Sequence, residues 1–444
     1  MANPSLSEYL AQSQRGLYQS VFGPEYLMKQ SYFTVDTATG IFNTTYGRKV
    51  WQALNNQTRF FNAVPRTVWG NTAGWRVRTD RGSGRSRPVT ETGSLPTVDI
   101  SNIATVSSLP RIVSTTFGAS VKSVFTAQLE GGIGDVLAME NEHAQLDHVK
   151  EINEELLAGA AYLASAGATT TFTVPAAIAK HFKVGDAVGQ FDTSASGHDR
   201  TSGSVVSAVN TSTGVVTVAT GTTFADGDVA YVYSRAGMTS IDDIVSEDAM
   251  AVGGGQARTR AYDLTLNDRT AGAWNAAASV GSNSGTGRAL TLTLLDTAIQ
   301  KIRENGGEPK LILLGHDQYF NLERLLNSSQ RYMGQEEFQV GVGSERTFPG
   351  TRTGLVLATY QGIPILPDAD VPKSVATNDA VLGSNIYVLD TDYLEIAVAQ
   401  PTQYVENRDY FAANALVVRG LLYTMAEMRC KNMWVQAKIM DLNA

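Results

Sequence analysis

Residues 135–157 read DVLAMENEHAQLDHVKEINEELL, without a glycine or proline, and the pattern predicts one long helix from a capping Asp135 to about Ala160. Met139, Leu146, Val149, Ile152 and Leu156 recur at threes, fours and sevens, which predicts a single buried stripe. The other faces carry Glu140, Glu142, Asp147, Glu151, Glu154 and Glu155 against a single Lys150. Such a helix packs on one side and is strongly acidic elsewhere.

Its electrostatic complement lies upstream. Between Arg59 and Pro96, the arginines Arg59, Arg66, Arg76, Arg78, Arg81, Arg85 and Arg87 are opposed only by Asp80 up to Glu91. The centre, WRVRTDRGSGRSRPVTETG (75–93), alternates like two strands around a Gly82-Ser83-Gly84 tip, so a long β-hairpin is expected. A two-stranded hairpin does not bury itself alone. Its guanidinium groups suit forked hydrogen bonds to carboxylates of a partner chain. A merely solvated basic loop and a nucleic-acid contact, with Trp69 and Trp75 as stacking groups, are the other two readings. The reversed excess of charge on the 135–160 helix favours docking.

Working outward, residues 1–58 lack a sustained period and read as an extended arm with a short helix near Leu6 to Tyr18. After β-rich residues 105–125, Gly131-Gly132-Ile133-Gly134 breaks the chain before the helix. Residues 169–234 form a run of short β-branched segments, with Gly-Asp pairs at 185–186 and 227–228 and a hairpin turn at Asn210 to Gly214; they read as an inserted all-β domain. Beyond it, Leu295, Ala298, Ile299 and Ile302 make a helical stripe stopped by Asn305-Gly306-Gly307, and Lys310 to Leu314 follows as a buried strand. A helix from His316 to about Leu326 comes next, then GLVLATY and IPILPDADVP as strands about a Gln361-Gly362 turn, the second closed by Pro367. YLEIAVA, ALVVRGLLYTMAEMRC and NMWVQAKIM read as long strands returning to earlier sheets.

Composition narrows the function. In 444 residues, charged residues make up 18%, the net charge is −8 and there are 41 glycines. Soluble domains carry roughly 25% charged residues, so much of the surface is expected to lie in a large interface. Cys430 is the sole cysteine, which excludes an internal disulfide and a cysteine-cluster zinc site. The terminus MANPSLSEYLAQSQ lacks a secretion pattern, and no apolar run reaches a membrane span, so a cytoplasmic site of synthesis and no membrane partner are expected. The acidic balance argues against dedicated DNA binding.

A search for chemistry returns structural readings. His143 and His148, five apart, sit roughly 140° apart on a helix and cannot act as an HExxH pair, so a solvated face is expected. His181 and His198 fall in no catalytic motif. His316-Asp317 has the position of a catalytic group in an α/β enzyme, but no nucleophile motif accompanies it. The glycine-rich stretches at 131–134, 253–255 and 281–287 lack GK[ST] and GxGxxG. No catalytic, cofactor or metal residue is assigned, and no enzyme is expected.

The order of arm, hairpin, β-rich stretch, acidic helix, mixed α/β domain and returning strands resembles the major capsid proteins of tailed double-stranded DNA bacteriophages, the HK97-fold family. FNAVPRTVWGNTAGWRVRTDRGSGRSRP resembles the family's extended loop and DVLAMENEHAQLDHVKEINEELL its spine helix. TLLDTAIQKIRENGGEPKLILLGHDQYFNLERLL and YQGIPILPDADVP resemble the helix, strand and turn of its axial domain. The resemblance implies an α+β capsid fold divided into an N-terminal arm (1–58), extended loop (59–104), peripheral domain with spine helix (105–168), inserted β domain (169–234), axial domain (235–400) and return strands (401–444). It implies an icosahedral shell of hexamers and pentamers around packaged DNA, with portal and scaffolding proteins as partners, a decoration protein as a further one and the DNA held by non-specific proximity. Arg76, Arg78, Arg81, Arg85 or Arg87 is then expected to meet acidic residues of a neighbouring subunit, some of them Glu140, Glu142, Asp147, Glu151, Glu154 and Glu155 of its helix. No lysine lies between Lys49 and Lys122, so the loop isopeptide crosslink of some members is not expected. The chain starts almost directly with the arm, which points to a separate scaffolding protein. An encapsulin-like nanocompartment shell and a β-rich surface or adhesion protein are the alternatives.

Overall fold

The computed structural model describes residues 58–70, 74–80, 86, 88–96, 98, 100–127, 135–165, 167, 170–191, 199–221, 224–246, 261–264, 273–283, 285–329, 336–339, 347–350, 359–376, 380–408 and 416–444. The expected arm, apart from Thr58, the Gly82-Ser83-Gly84 tip and the 131–134 break lie outside them. The described chain separates into two compact units, one from 113–150 and 400–424, the other from 57–112, 151–399 and 425–444. Leu394–Asn407 and Val417–Cys430 are the inner members of a four-stranded sheet whose outer strands are Arg66–Val68 and Arg111–Ser120.

In the first unit the long helix, Val136–Leu156 over its full length, starts where the sequence places it. Asp135 Oδ1 accepts the backbone N–H groups of Leu137 and Ala138, a side-chain cap. The buried stripe differs from the expected one. Val136, Ala144, His148, Ile152 and Leu156 are buried, whereas Leu146 is 40% exposed and Met139 and Val149 are half-buried. His148 is not on a solvated face: its ring nitrogens lie 3.0 Å from Thr115 Oγ1 and 2.7 Å from Thr424 Oγ1. Thr424 in turn meets Thr402 at 2.8 Å. These hydroxyls satisfy the imidazole and remove the penalty that would keep a histidine out of a core. Nearby, Phe117 stacks on Tyr404 at 6.0 Å, and a side chain at Gly420 would meet the Phe117 ring at 2.3 Å.

The second unit contains a closed β-barrel. Its strands run in the order Ala161–Ala164, Asp228–Ser234, Ala187–Phe191, Asp199–Asn210, Val215–Val218 and Thr171–Thr173. Ser165 and Thr173 then exchange two backbone hydrogen bonds of 2.8 and 3.2 Å, joining the last strand back to the first. Tyr162, Phe172, Phe182, Phe224 and Tyr231 fill the interior. The expected turns are present: Asn210 Oδ1 accepts the N–H groups of Ser212 and Thr213, and Gly214 has a φ of +75° that only glycine tolerates well. Both Gly-Asp pairs close the same device. Gly185 and Gly227 take positive φ, and the following aspartate accepts the N–H three residues back, Lys183 for Asp186 and Ala225 for Asp228.

The remaining sheet has the order Ser279–Gly281, Ala437–Ile439, Ile386–Leu389, Leu311–Leu314, Ile363–Pro367, Thr359–Tyr360. Helix Leu292–Glu304 buries Leu295, Ala298, Ile299 and Ile302 against it, as the spacing predicts. Gly306, at φ +84°, ends the helix, with the Gly307 N–H donating to Ile302 O. Gln361 and Gly362, both at positive φ, form the expected turn. Most of GLVLATY lies outside the described residues, and NMWV is not strand: Met433–Val435 is one 3₁₀ turn capped by Asn432.

Where the barrel returns to this body, a buried polar seam forms. Arg235 donates to Asp243 at 2.8 Å, to Asp186 at 3.3 Å and to the carbonyls of His181 and Gly159. One chain position later, Ala236 N–H donates to Asp186 Oδ1. Lys438, also buried, pairs with Asp242 at 2.9 Å, and Asp242 further accepts from Tyr387 Oη and Ala160 N–H. Burial opposes the charge on Asp242, yet Lys438 and these hydrogen bonds outweigh it and hold the carboxyl below its ordinary range.

Candidate functional site

The basic loop is built on a two-stranded ribbon. Gly74–Arg78 pairs antiparallel with Ile103–Ser107, Arg76 opposite Thr105 and Arg78 opposite Ile103. The return strand is therefore not the expected one just after the tip; the described residues from 86 to 96 are irregular. A side chain at Gly74 would fall 1.8 Å from Val106 O, so glycine is required at that end of the ribbon. The ribbon is anchored by Ser107 N–H on Asp263 Oδ1 at 2.8 Å and by Trp75 edge-on to Tyr262 at 5.0 Å. Tyr262 Oη donates to Met428 O and accepts from Cys430 N–H, fixing that anchor to the last long strand.

Arg76 and Arg78 face solvent, and Arg78 Nε donates to Asp80 O. Arg81, Arg85 and Arg87 lie outside the described residues. An apolar run accompanies the basic face. Leu95 is 81% exposed, Val98 100%, Ile100 81%, Ile103 62%, Leu109 63% and Ile112 57%. Sequence reading overlooked this run because its residues look like ordinary strand material. Only their exposure in the fold reveals it.

The acidic helix divides into two sets. Glu142 and Asp147 are exposed; Glu140 is half-buried, 3.8 Å from His143 Nδ1. Burial raises the Glu140 pKa, His143 lowers it and Asp147 raises it again, with a net upward shift. Glu151 and Glu154, in contrast, hold Lys183 at 2.7 and 3.5 Å. Glu155 accepts the Met238 N–H at 3.1 Å, and burial pushes its carboxyl up to about 7. The helix thus spends half its expected docking charge inside its own chain, leaving Glu142 and Asp147 outward and Glu140 half-buried beside His143.

A third raised carboxylate was not legible. Glu427 sits within an apolar strand, accepts Thr239 N–H at 2.7 Å and lies 3.8 Å from Arg111; burial lifts it to about 7. Glu155 and Glu427 therefore grip consecutive backbone amides at the barrel's return. Among the described residues no cluster of three or more His, Cys, Asp or Glu is arranged to hold a metal, and no helix is long and apolar enough to cross a membrane. His316 opens the helix His316–Ser329, and Asp317 accepts Ser384 N–H at 2.7 Å, tying that first turn to the strand Val381–Ser384. Cys430 is buried.

Residues 245–432 match the family model of the SU10 major capsid protein. The capsid asymmetric unit of cyanophage A-1(L) is similar in fold, with a TM-score of 0.54 and 13% identity over 89% of this chain and 96% of that one. The chain is a tailed-phage major capsid protein. Its fold is of the HK97 type, mixed α+β, as the order of elements led us to expect. A structure from Gordonia phage Cozz is also similar, with a TM-score of 0.43 and 11% identity over 90% of each chain. So is the SrpI encapsulin from Synechococcus elongatus PCC 7942, with a TM-score of 0.39 and 10% identity over 93% of this chain and 96% of that one. Among curated proteins none matches the sequence. For a shell-forming capsid protein the functional site is its contact surface, and the ribbon and the apolar residues that follow it are exposed in a single copy.

Proposed function

We propose that copies of this capsid protein close into an icosahedral head of hexamers and pentamers around double-stranded DNA. In this arrangement the ribbon and apolar run of one copy lie on a neighbour. The observation that carries the reading is the exposure, among the described residues, of Leu95, Val98, Ile100, Ile103, Leu109 and Ile112. Several large apolar side chains exposed along one stretch of chain suit an interaction surface. Burying one such side chain contributes about 1.5–3 kcal/mol, against about 0–1 kcal/mol for an exposed ion pair. Apolar burial therefore supplies cohesion, and Arg76 and Arg78, opposite Glu140, Glu142 and Asp147 of a neighbour, set register. The contributions of Arg81, Arg85 and Arg87 belong to the same proposal, as do the domain limits given above.

The role is structural and non-catalytic. Cohesion is non-covalent, with portal and scaffolding proteins as partners, a decoration protein as a further one, DNA enclosed by proximity and assembly in the host cytoplasm. The test is electron microscopy and sedimentation of the purified protein. The wild type is expected to form closed shells, and the double variant Arg76→Glu, Arg78→Glu to lose them or to lose their salt tolerance. Unchanged shells from that variant would defeat the docking assignment, and an absence of shells in any assembly condition would defeat the head itself.

A further inference from the structure

Beside the ribbon, Trp75, Trp274 and Trp434 wall a cleft of about 350 Å³ whose lining also includes Arg76, Arg78 and Lys431. Lys431 additionally binds Glu395 at 2.7 Å. The volume is at the small end of the roughly 300–1,000 Å³ typical of ligand clefts, enough for a few side chains. Aromatic walls with cations ask for an apolar group flanked by carboxylates.

The chain itself presents such a group. Leu146 belongs to the helix stripe by sequence, but its place in the core is taken by His148, and it stands 40% exposed. Glu142 is one turn before it on the same face and Asp147 is adjacent, both exposed; His143 and Lys150 complete its surroundings. We propose that the tryptophan cleft of one copy receives Leu146 of a second copy, with Glu142 and Asp147 meeting the cleft's cations. This rests on the shell-forming reading and names where the ribbon docks. It also accounts for why a leucine faces outward between acidic residues.

The test uses assembled shells. The native cysteine is buried, so a new pair gives an uncluttered signal. In the double variant Leu146→Cys, Thr79→Cys, oxidation of preformed shells should give covalent dimers and higher ladders on a non-reducing denaturing gel, absent from either single variant. Should the double variant fail to assemble, shells co-assembled from the two single variants carry the same readout through the mixed pair. Normal shells without the crosslink would overturn the cleft assignment while leaving the capsid reading intact. Quenching of the tryptophan emission of unassembled subunits by a single-stranded oligonucleotide, abolished by Arg76→Glu, would assign the cleft to nucleic acid and overturn it too.

Discussion

Glu155 and Glu427 make the subunit's stability depend on pH in an unusual direction. Both are buried, both accept a neighbouring backbone N–H, and both are pushed from an ordinary 4.5 to about 7. Glu155 faces Glu151, Lys183 and Asp186, and Glu427 faces Arg111; in each case burial outweighs the attraction. Between these two pKa values the folded state holds a proton that the unfolded chain has released. Their contribution is therefore fully present below about pH 4.5 and lost as pH rises through about 7. A difference of about 2.5 units at about 1.36 kcal/mol each amounts to about 3 kcal/mol per carboxylate.

Glu427→Gln keeps an oxygen for the Thr239 N–H but cannot ionise. Urea unfolding of unassembled subunits at pH 5 and pH 8 should find this variant close to the wild type at pH 5. At pH 8 it should be more stable by about 3 kcal/mol. Parallel pH profiles for the two proteins would refute the reasoning, because they would mean that the carboxylate ionises without penalty in the fold.

Two further outcomes are expected. Arg235→Met should lower subunit stability by about 3–5 kcal/mol in thermal unfolding, since it leaves Asp186 and Asp243 as buried charges without their cation; an unchanged melting temperature would contradict the seam described above. Val98→Ser with Ile100→Ser should leave the free subunit's stability within about 0.5 kcal/mol, as both side chains are exposed, yet raise the concentration needed for assembly at least tenfold. Light scattering against subunit concentration measures it, and an unshifted threshold would count against the apolar run as the cohesive surface.

The elements legible in the sequence were those specified locally. Asp135, the uninterrupted helical run and the Gly306 stop are short-range signals, and each is found where the pattern puts it. The stripe of the long helix was misread because hydrophobicity ranks Leu146 above His148. What reverses the ranking is Thr115 and Thr424, distant in sequence, which satisfy the imidazole. The ribbon's return strand was misplaced for a similar reason: residues 85–91 and 103–107 both alternate, and only the pairing selects Ile103–Ser107. The charge balance of the candidate surface was half legible. Arg76 and Arg78 do face outward, but Lys183, thirty-two residues from Glu151, claims two of the helix carboxylates for its own chain. Glu427 carried a faint signal, an acid amid an apolar run, that points to burial in retrospect.

The barrel's closure through Ser165 and Thr173 has a consequence for crowded particles. An open sheet exposes rows of unpaired N–H and C=O groups that recruit strands from other molecules. In a lattice that repeats the same body at every position, one adhesive row becomes many, and particle would join particle in growing clumps. A ring of strands that returns on itself presents no such row. At the join of Ser165 and Thr173 the capsid protein's barrel therefore offers no open edge to a strand of another copy.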